Sequence, residues 1–226
     1  MTEGKKLVTL RRSPDMTANA NGGAALALAE PHDPNTHRRG IDQAAVECAA
    51  RELLRALGAD VDAAALAETP RRVADAYAEL LTPQPFRATT FPNDDGYDQL
   101  IVARAIPFHS LCMHHLLPFH GVAHVGYLPG ERIIGLSKLG RVVEFFARDL
   151  QIQERLTTQI ADWLQCELEP KGVGVVLEAE HLCMSLRGVQ KLGAKTVTSA
   201  LRGHVRDDTR TRQEFLALTM RTSHDQ

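Results

Sequence analysis

Apolar positions along this chain recur first at helical and then at strand spacing, and the change of period divides it. Ile41, Ala45, Cys48, Ala49, Leu53 and Leu57 fall on one helical stripe that Gly58 closes. That stripe puts Cys48 among core positions. A second helical stretch is predicted from Asp62 to about Leu81, interrupted by Thr69-Pro70, with Pro83 and Pro85 beyond it. These helices carry no legible chemistry and read as a packing or assembly element. After a polar loop, Pro92 to Asp98, the stretch Leu100 to Phe108 predicts a strand. Gly121 to Leu128 alternates, Pro129-Gly130 turns it, and Arg132 to Leu136 returns as a strand. His124 lies within the alternation and reads as structural.

Ser137 suits a helix N-cap, because Leu139, Val142, Val143, Phe146 and Leu150 follow at helical spacing. Lys138 and Arg141 would then stand near the positive end of the helix dipole, unfavourable by roughly a few tenths of a kcal/mol. A bound anion reverses that sign, so Ser137, Lys138 and Arg141 read either as a phosphate cradle or as a solvated basic turn. Gln151 to Arg155 interrupts the period, which resumes through Leu156, Ile160, Trp163, Leu164 and Leu168 until Pro170 and Gly172. Trp163 is expected in the core. Gln153 and Glu154 begin that helix, as caps or as readers of a ligand's N–H groups. Val173, Val175, Leu177 and Ala179 then alternate on odd numbers, whereas Leu182, Met184 and Leu186 are even. The change of parity predicts a bulge near Ala179 to His181, with His181, Cys183, Ser185 and Arg187 on one face. Thr196 to Val205 predicts a strand and Thr209 to Thr219 a closing helix. Strands and helices in this order, without a βαβ repeat, predict an α+β fold with an antiparallel sheet.

The first 39 residues show no sustained period and read as a flexible tail, followed by a helical region (40–98) and the sheet-containing domain (99–226). Ala24 to Ala29 is too short for a signal-peptide core, and Arg11-Arg12 leads into Ser13-Pro14 rather than an apolar run. No stretch is long enough to span a bilayer, so a cytoplasmic location is expected. A net charge of -2 gives no global attraction to nucleic acid or membrane, and aromatics at 5% leave no stacking platform for nucleic acid. Four cysteines without regular spacing in 226 residues do not form a disulfide framework and fit a reducing compartment.

Chemistry concentrates between Phe108 and His120, which hold the Cys112 thiol and the imidazoles of His109, His114, His115 and His120. Soft and borderline ligands at this density point to a transition metal, and Cys112-x-x-His115 lets two side chains share an ion. The alternative is a loop of hydrogen-bonded histidines around a buried thiol. The downstream segment Glu180 to Arg187 offers another Cys and another His.

Taken together, Ser110-x-Cys112-x-His114-His115-x-x-Pro118-Phe119, Gly135-Leu136-Ser137-Lys138, Gln153-Glu154-Arg155-Leu156-Thr157 and His181-x-Cys183-Met184-x-x-Arg187-Gly188-Val189-Gln190-Lys191 resemble GTP cyclohydrolase I, in order and over roughly Ile41 to Thr219. The resemblance implies the tunnelling fold (T-fold), a four-stranded antiparallel sheet backed by helices. It implies a homodecamer of two stacked pentamers with active sites between subunits. It also implies conversion of GTP to formate and 7,8-dihydroneopterin triphosphate, the first step of folate- or pterin-type biosynthesis. Carried over by position, the ligands of one Zn2+ per subunit fall on Cys112, His115 and Cys183. Acid–base work falls on His114 and His181, and guanine recognition on Glu154. Gln153 and Ser137 join both the catalytic and the substrate-binding positions, while Lys138, Arg141 and Arg187 face the triphosphate. One departure stands out: Met113 occupies a position where the family usually has Glu, which removes any orienting carboxylate there. A non-catalytic, zinc-stabilised member of the same fold would need only the three ligands. A related pterin or deazapurine enzyme would lack the full set of motifs.

Overall fold

The computed structural model describes residues 40–220. The tail expected over residues 1–39 therefore lies outside the described residues. Two helices come first, α1 (Gln43–Ala56) and α2 (Thr69–Leu81). Asp42 caps α1 by accepting the Ala45 N–H at 3.0 Å. The buried face of α1 centres on Ala50, with Val46 and Leu54 half-buried beside it, and Leu53 and Leu57 point outward. Cys48 is accordingly exposed rather than in the core, because α1 packs against α2 along a stripe rotated from the one its apolar residues suggest. Thr69-Pro70 starts α2 instead of interrupting it. Proline's missing N–H costs nothing in a first helical turn, and the residues before it form turns.

A short strand β1 (Thr90–Pro92) precedes the long β2 (Ile101–Cys112) and β3 (Pro118–Leu128). β4 (Arg132–Ile134) pairs with β1 in a separate two-stranded ribbon. Helix α3 (Leu136–Ala147), the two-residue β5 (Leu150–Gln151) and helix α4 (Gln153–Leu168) follow. The chain ends with β6 (Gly172–His181), the single turn α5 (Leu182–Ser185), β7 (Lys195–Gly203), α6 (His204–Asp207) and α7 (Thr209–Met220). The main sheet runs β5-β2-β3-β6-β7: four antiparallel strands with β5 added parallel at one edge. This is the expected α+β arrangement.

Period two decides the faces. Val173, Val175, Leu177 and Ala179, with Phe119, Ala123, Val125 and Tyr127 of β3, are buried against Leu139, Val142, Val143, Leu156, Ile160 and Leu164 of α3 and α4. Trp163 is half-buried at the margin of this core, its ring 5.4 Å from that of Phe86. The opposite face carries Val176 and is covered at one end by Phe215 of α7. Gly174 makes that cover possible, because a Cβ there would stand 2.6 Å from the Phe215 ring.

The bulge expected at Ala179 to His181 is absent. β6 pairs in unbroken register with β3 and β7, and the parity changes because the chain turns helical at Leu182. The irregularity lies in β2 instead, between Ala103 and Ile106, where Ala105 has φ 52 and donates its N–H to His124 Nδ1 at 3.4 Å. His124 is structural, as read. Among the described residues no helix is long and apolar enough to cross a membrane.

Candidate active site

Every chemically interesting segment except the start of α3 reaches the same end of the sheet. Cys112 closes β2, Pro118 opens β3, Gln153 follows β5, His181 ends β6 and Lys195 begins β7. Between β2 and β3 the chain makes a tight loop in which His115 and Leu116 both donate N–H groups to the Cys112 carbonyl, at 3.2 and 2.8 Å. The Met113 N–H donates to the Gln151 carbonyl at 3.0 Å. Leu116 takes a left-handed conformation, φ 55, unusual for a branched side chain. Tyr77 of α2 holds it there, donating its O–H to the Leu116 carbonyl at 3.1 Å.

This loop brings His115 Nδ1 to 3.7 Å from Cys112 Sγ, while α5 brings Cys183 Sγ to 4.0 Å from Cys112 Sγ. The three donor atoms lie within 4.8 Å of one another. In a tetrahedral zinc site two sulfurs stand ~3.8 Å apart and sulfur and nitrogen ~3.6 Å, so the triangle needs little adjustment to hold an ion. Burial, and then the neighbouring Cys112, push the Cys183 thiol up from its ordinary pKa, while the Arg187 charge pulls it down. A bound cation would remove that opposition to ionisation. His114 Nδ1 is also 3.8 Å from Cys112 Sγ, but His114 is not part of the triangle.

Beside the donors, His181 stacks on Phe119, its cross-strand partner, with ring centroids 4.6 Å apart and planes at 2°. Its Nε2 lies 2.8 Å from Gln153 Oε1. Burial lowers the His181 pKa and the Glu154 carboxylate partly offsets this. Gln153 is buried in the first turn of α4, where it caps nothing; Ile152 is the N-cap and has no side-chain bond to the helix. Glu154, next to it, is exposed.

Gly135, not Ser137, is the N-cap of α3. Ser137 and Lys138 occupy its first turn, and Arg141 falls in its second. Ser137 and Arg141 are exposed and Lys138 half-buried. Among the described residues no hydrogen bond or ion pair joins these three to Cys112, Glu154 or His181. Arg187 is exposed just beyond α5, and Met113 is exposed beside Cys112. The roles of Tyr77, Phe119, Thr157 and Thr198 around the site had no signal in the sequence beyond the place of Thr157 and Phe119 in the motifs. Their partners are remote along the chain.

An α+β sheet gathers two thiols and an imidazole at one end as a possible metal-binding group, with a second histidine hydrogen-bonded beside them. The family model of GTP cyclohydrolase I matches residues 46–220. The GTP cyclohydrolase 1 of Mycobacteroides abscessus is 52% identical over 202 residues, covering 85% of this chain and 98% of that protein. That of Mycolicibacterium paratuberculosis is 51% identical over 197 residues, covering 84% and 96%. Among solved structures, an apo archaeosine synthase QueF-Like is a distant likeness, 15% identical at TM-score 0.38 over 46% of this chain and 94% of that one. The chain belongs to the GTP cyclohydrolase I family and is an enzyme of that family.

Proposed function

We propose that this protein converts GTP to 7,8-dihydroneopterin triphosphate and formate with one zinc ion per subunit, in the cytoplasm, at the entrance to folate- or pterin-type synthesis. The observation that carries the reading is the Cys112–His115–Cys183 triangle set beside the His181–Gln153 pair. Three protein donors leave a fourth position open, the pattern of catalytic rather than structural zinc. Cys112, His115 and Cys183 would hold the zinc, which would supply Lewis-acid activation of water near neutral pH.

The chain's own residues do the rest. Opening the imidazole ring of guanine requires a proton at a ring nitrogen, and His181 is the group placed to deliver it; His114 assists the later rearrangement and closure. Glu154 accepts from guanine N1–H and the exocyclic amine together, a pair of donors that adenine lacks. Lys138, Arg141 and Arg187 hold the triphosphate, with Ser137 and Gln153 completing the pocket. Because, among the described residues, no hydrogen bond or ion pair joins Ser137, Lys138 or Arg141 to the metal end, sites shared between subunits fit the placement best. Leu186, Val189, Leu192 and Val197, exposed on and beside the edge strand β7, are suited to a second copy of the chain. A decamer of two stacked pentamers, with residues 40–98 serving assembly and 99–226 catalysis, accommodates these features. Met113 brings no charge to the metal, and the ligands and both histidines remain.

The test is to incubate zinc-loaded protein with GTP and quantify formate and pterin together. Equal amounts are expected. Formate without pterin would confine the activity to ring opening, and neither product from zinc-loaded protein would overturn the reading in favour of a non-catalytic role.

A further inference from the structure

The amide of Gln153 is buried and both of its ends are engaged. Its Nε2 donates towards the Leu177 carbonyl at 3.2 Å, the Thr196 carbonyl at 3.0 Å and Thr198 Oγ1 at 3.1 Å. Its Oε1 faces His181 Nε2. Turning the amide over would set its oxygen against two backbone carbonyl oxygens, acceptor against acceptor, and would forfeit the Thr198 hydroxyl as a third acceptor, so strands and hydroxyl fix its orientation together. His181 Nε2 must then be the donor. A neutral imidazole has one N–H, which leaves its lone pair on Nδ1.

The chain of bonds continues away from the site. Thr157 O–H donates to the Gln153 backbone carbonyl at 2.6 Å. With its proton committed, the Thr157 oxygen accepts from Thr198 O–H, 2.6 Å away. Thr198 Oγ1 therefore offers lone pairs, not a proton, to Gln153 Nε2. Each direction follows from its neighbour, and the stack on Phe119 holds the His181 ring plane.

We propose that Thr198 and Thr157 are positioning residues that act through Gln153 to hold His181 as the Nε2–H tautomer, with the free lone pair of the ring on Nδ1. This rests on the acid–base role given to His181 above. The Nε2 proton stays in its bond to Gln153 throughout. Gln153 thereby has a task for the reaction that requires no direct contact with the ligand.

The experiment is magic-angle-spinning 15N NMR of the zinc-loaded full chain labelled on histidine, with the His181 signals identified by their loss in His181→Gln. The parent protein is expected to show His181 protonated on Nε2 and bare on Nδ1. Thr198→Val keeps the shape but removes an acceptor and an O–H. It should add a population of the Nδ1–H tautomer and lower kcat for formate release severalfold, roughly up to tenfold, with KM unchanged. Thr198→Ser should restore both. An Nδ1–H tautomer in the parent, no change of tautomer in Thr198→Val, or no recovery in Thr198→Ser would each overturn the inference. An Nδ1–H tautomer in the parent overturns it even where the valine variant does not fold. If the tautomer behaves as expected but the parent releases no formate from GTP, the proposed reaction fails and the positioning chain stands.

Discussion

Burial, and then Cys112 with its Sγ 4.0 Å away, hold the Cys183 thiol above its ordinary pKa. A cation between the two sulfurs would remove that opposition to ionisation. Cys183→Ser should therefore bring metal content from about one ion per chain towards none, measured by atomic emission after dialysis, and formate release should fall with it. Glu154→Gln replaces one acceptor oxygen with a donor. The preference for GTP over ATP should drop on the order of a hundredfold, read from kcat/KM for each nucleotide. His124 gives a pH signature unrelated to the metal. Burial first, and the Arg104 charge second, lower its pKa below 6.5, with Glu178 opposing. In the window below that value the unfolded chain binds the proton more readily than the folded one, so stability is lost as pH falls through it. Protonation also removes the acceptor for the Ala105 N–H. His124→Gln keeps an acceptor without a charge, so its melting temperature should fall less between about pH 7.5 and about pH 5 than that of the parent.

At the scale of elements, two glycines separate close approach from mere permissiveness. A Cβ on Gly121 would stand 1.9 Å from the Glu178 carbonyl oxygen, which is backbone and cannot step aside. Gly121→Ala should force β3 and β6 apart two residues from the His181 pair and cost about 2–3 kcal/mol in urea denaturation. Gly140, within α3, has nothing within 4 Å of the same position. Gly140→Ala should instead stabilise by about 0.5–1 kcal/mol, through helix propensity and a less flexible unfolded chain. Opposite signs for one chemical change would show that contact, not residue type, decides.

For the whole molecule, the edge strand β7 and the loop before it leave Leu192 and Val197 largely in water, 81% and 58% exposed. A row of unpaired strand groups flanked by such side chains favours association. For the decamer proposed above, light scattering should give the mass of ten chains, and Val197→Lys should give smaller species that retain metal but lose formate release, because the proposed sharing of α3 residues with a neighbour's metal end would be lost.

The sequence by itself determined the order of the longer helices and strands, because period two and period 3.6 are local properties that each segment carries alone, whereas β1, β5, α5 and α6 are too short to show a period. It also placed Cys112 with His115, whose pairing needs only one tight loop, and the motifs that identify the family. Direction was decided by tertiary structure. Cys48 faces outward because α2 covers a neighbouring stripe of α1, and the parity change near His181 is a helical turn because β3 and β7 hold β6 in register on both sides. Cys183 reaches Cys112 across 71 residues and Thr198 reaches Gln153 across 45. Such pairings follow from which strands become neighbours, and no local periodicity encodes that choice. The histidine was legible as chemistry; the bonds that orient it exist only once the sheet has closed around Gln153.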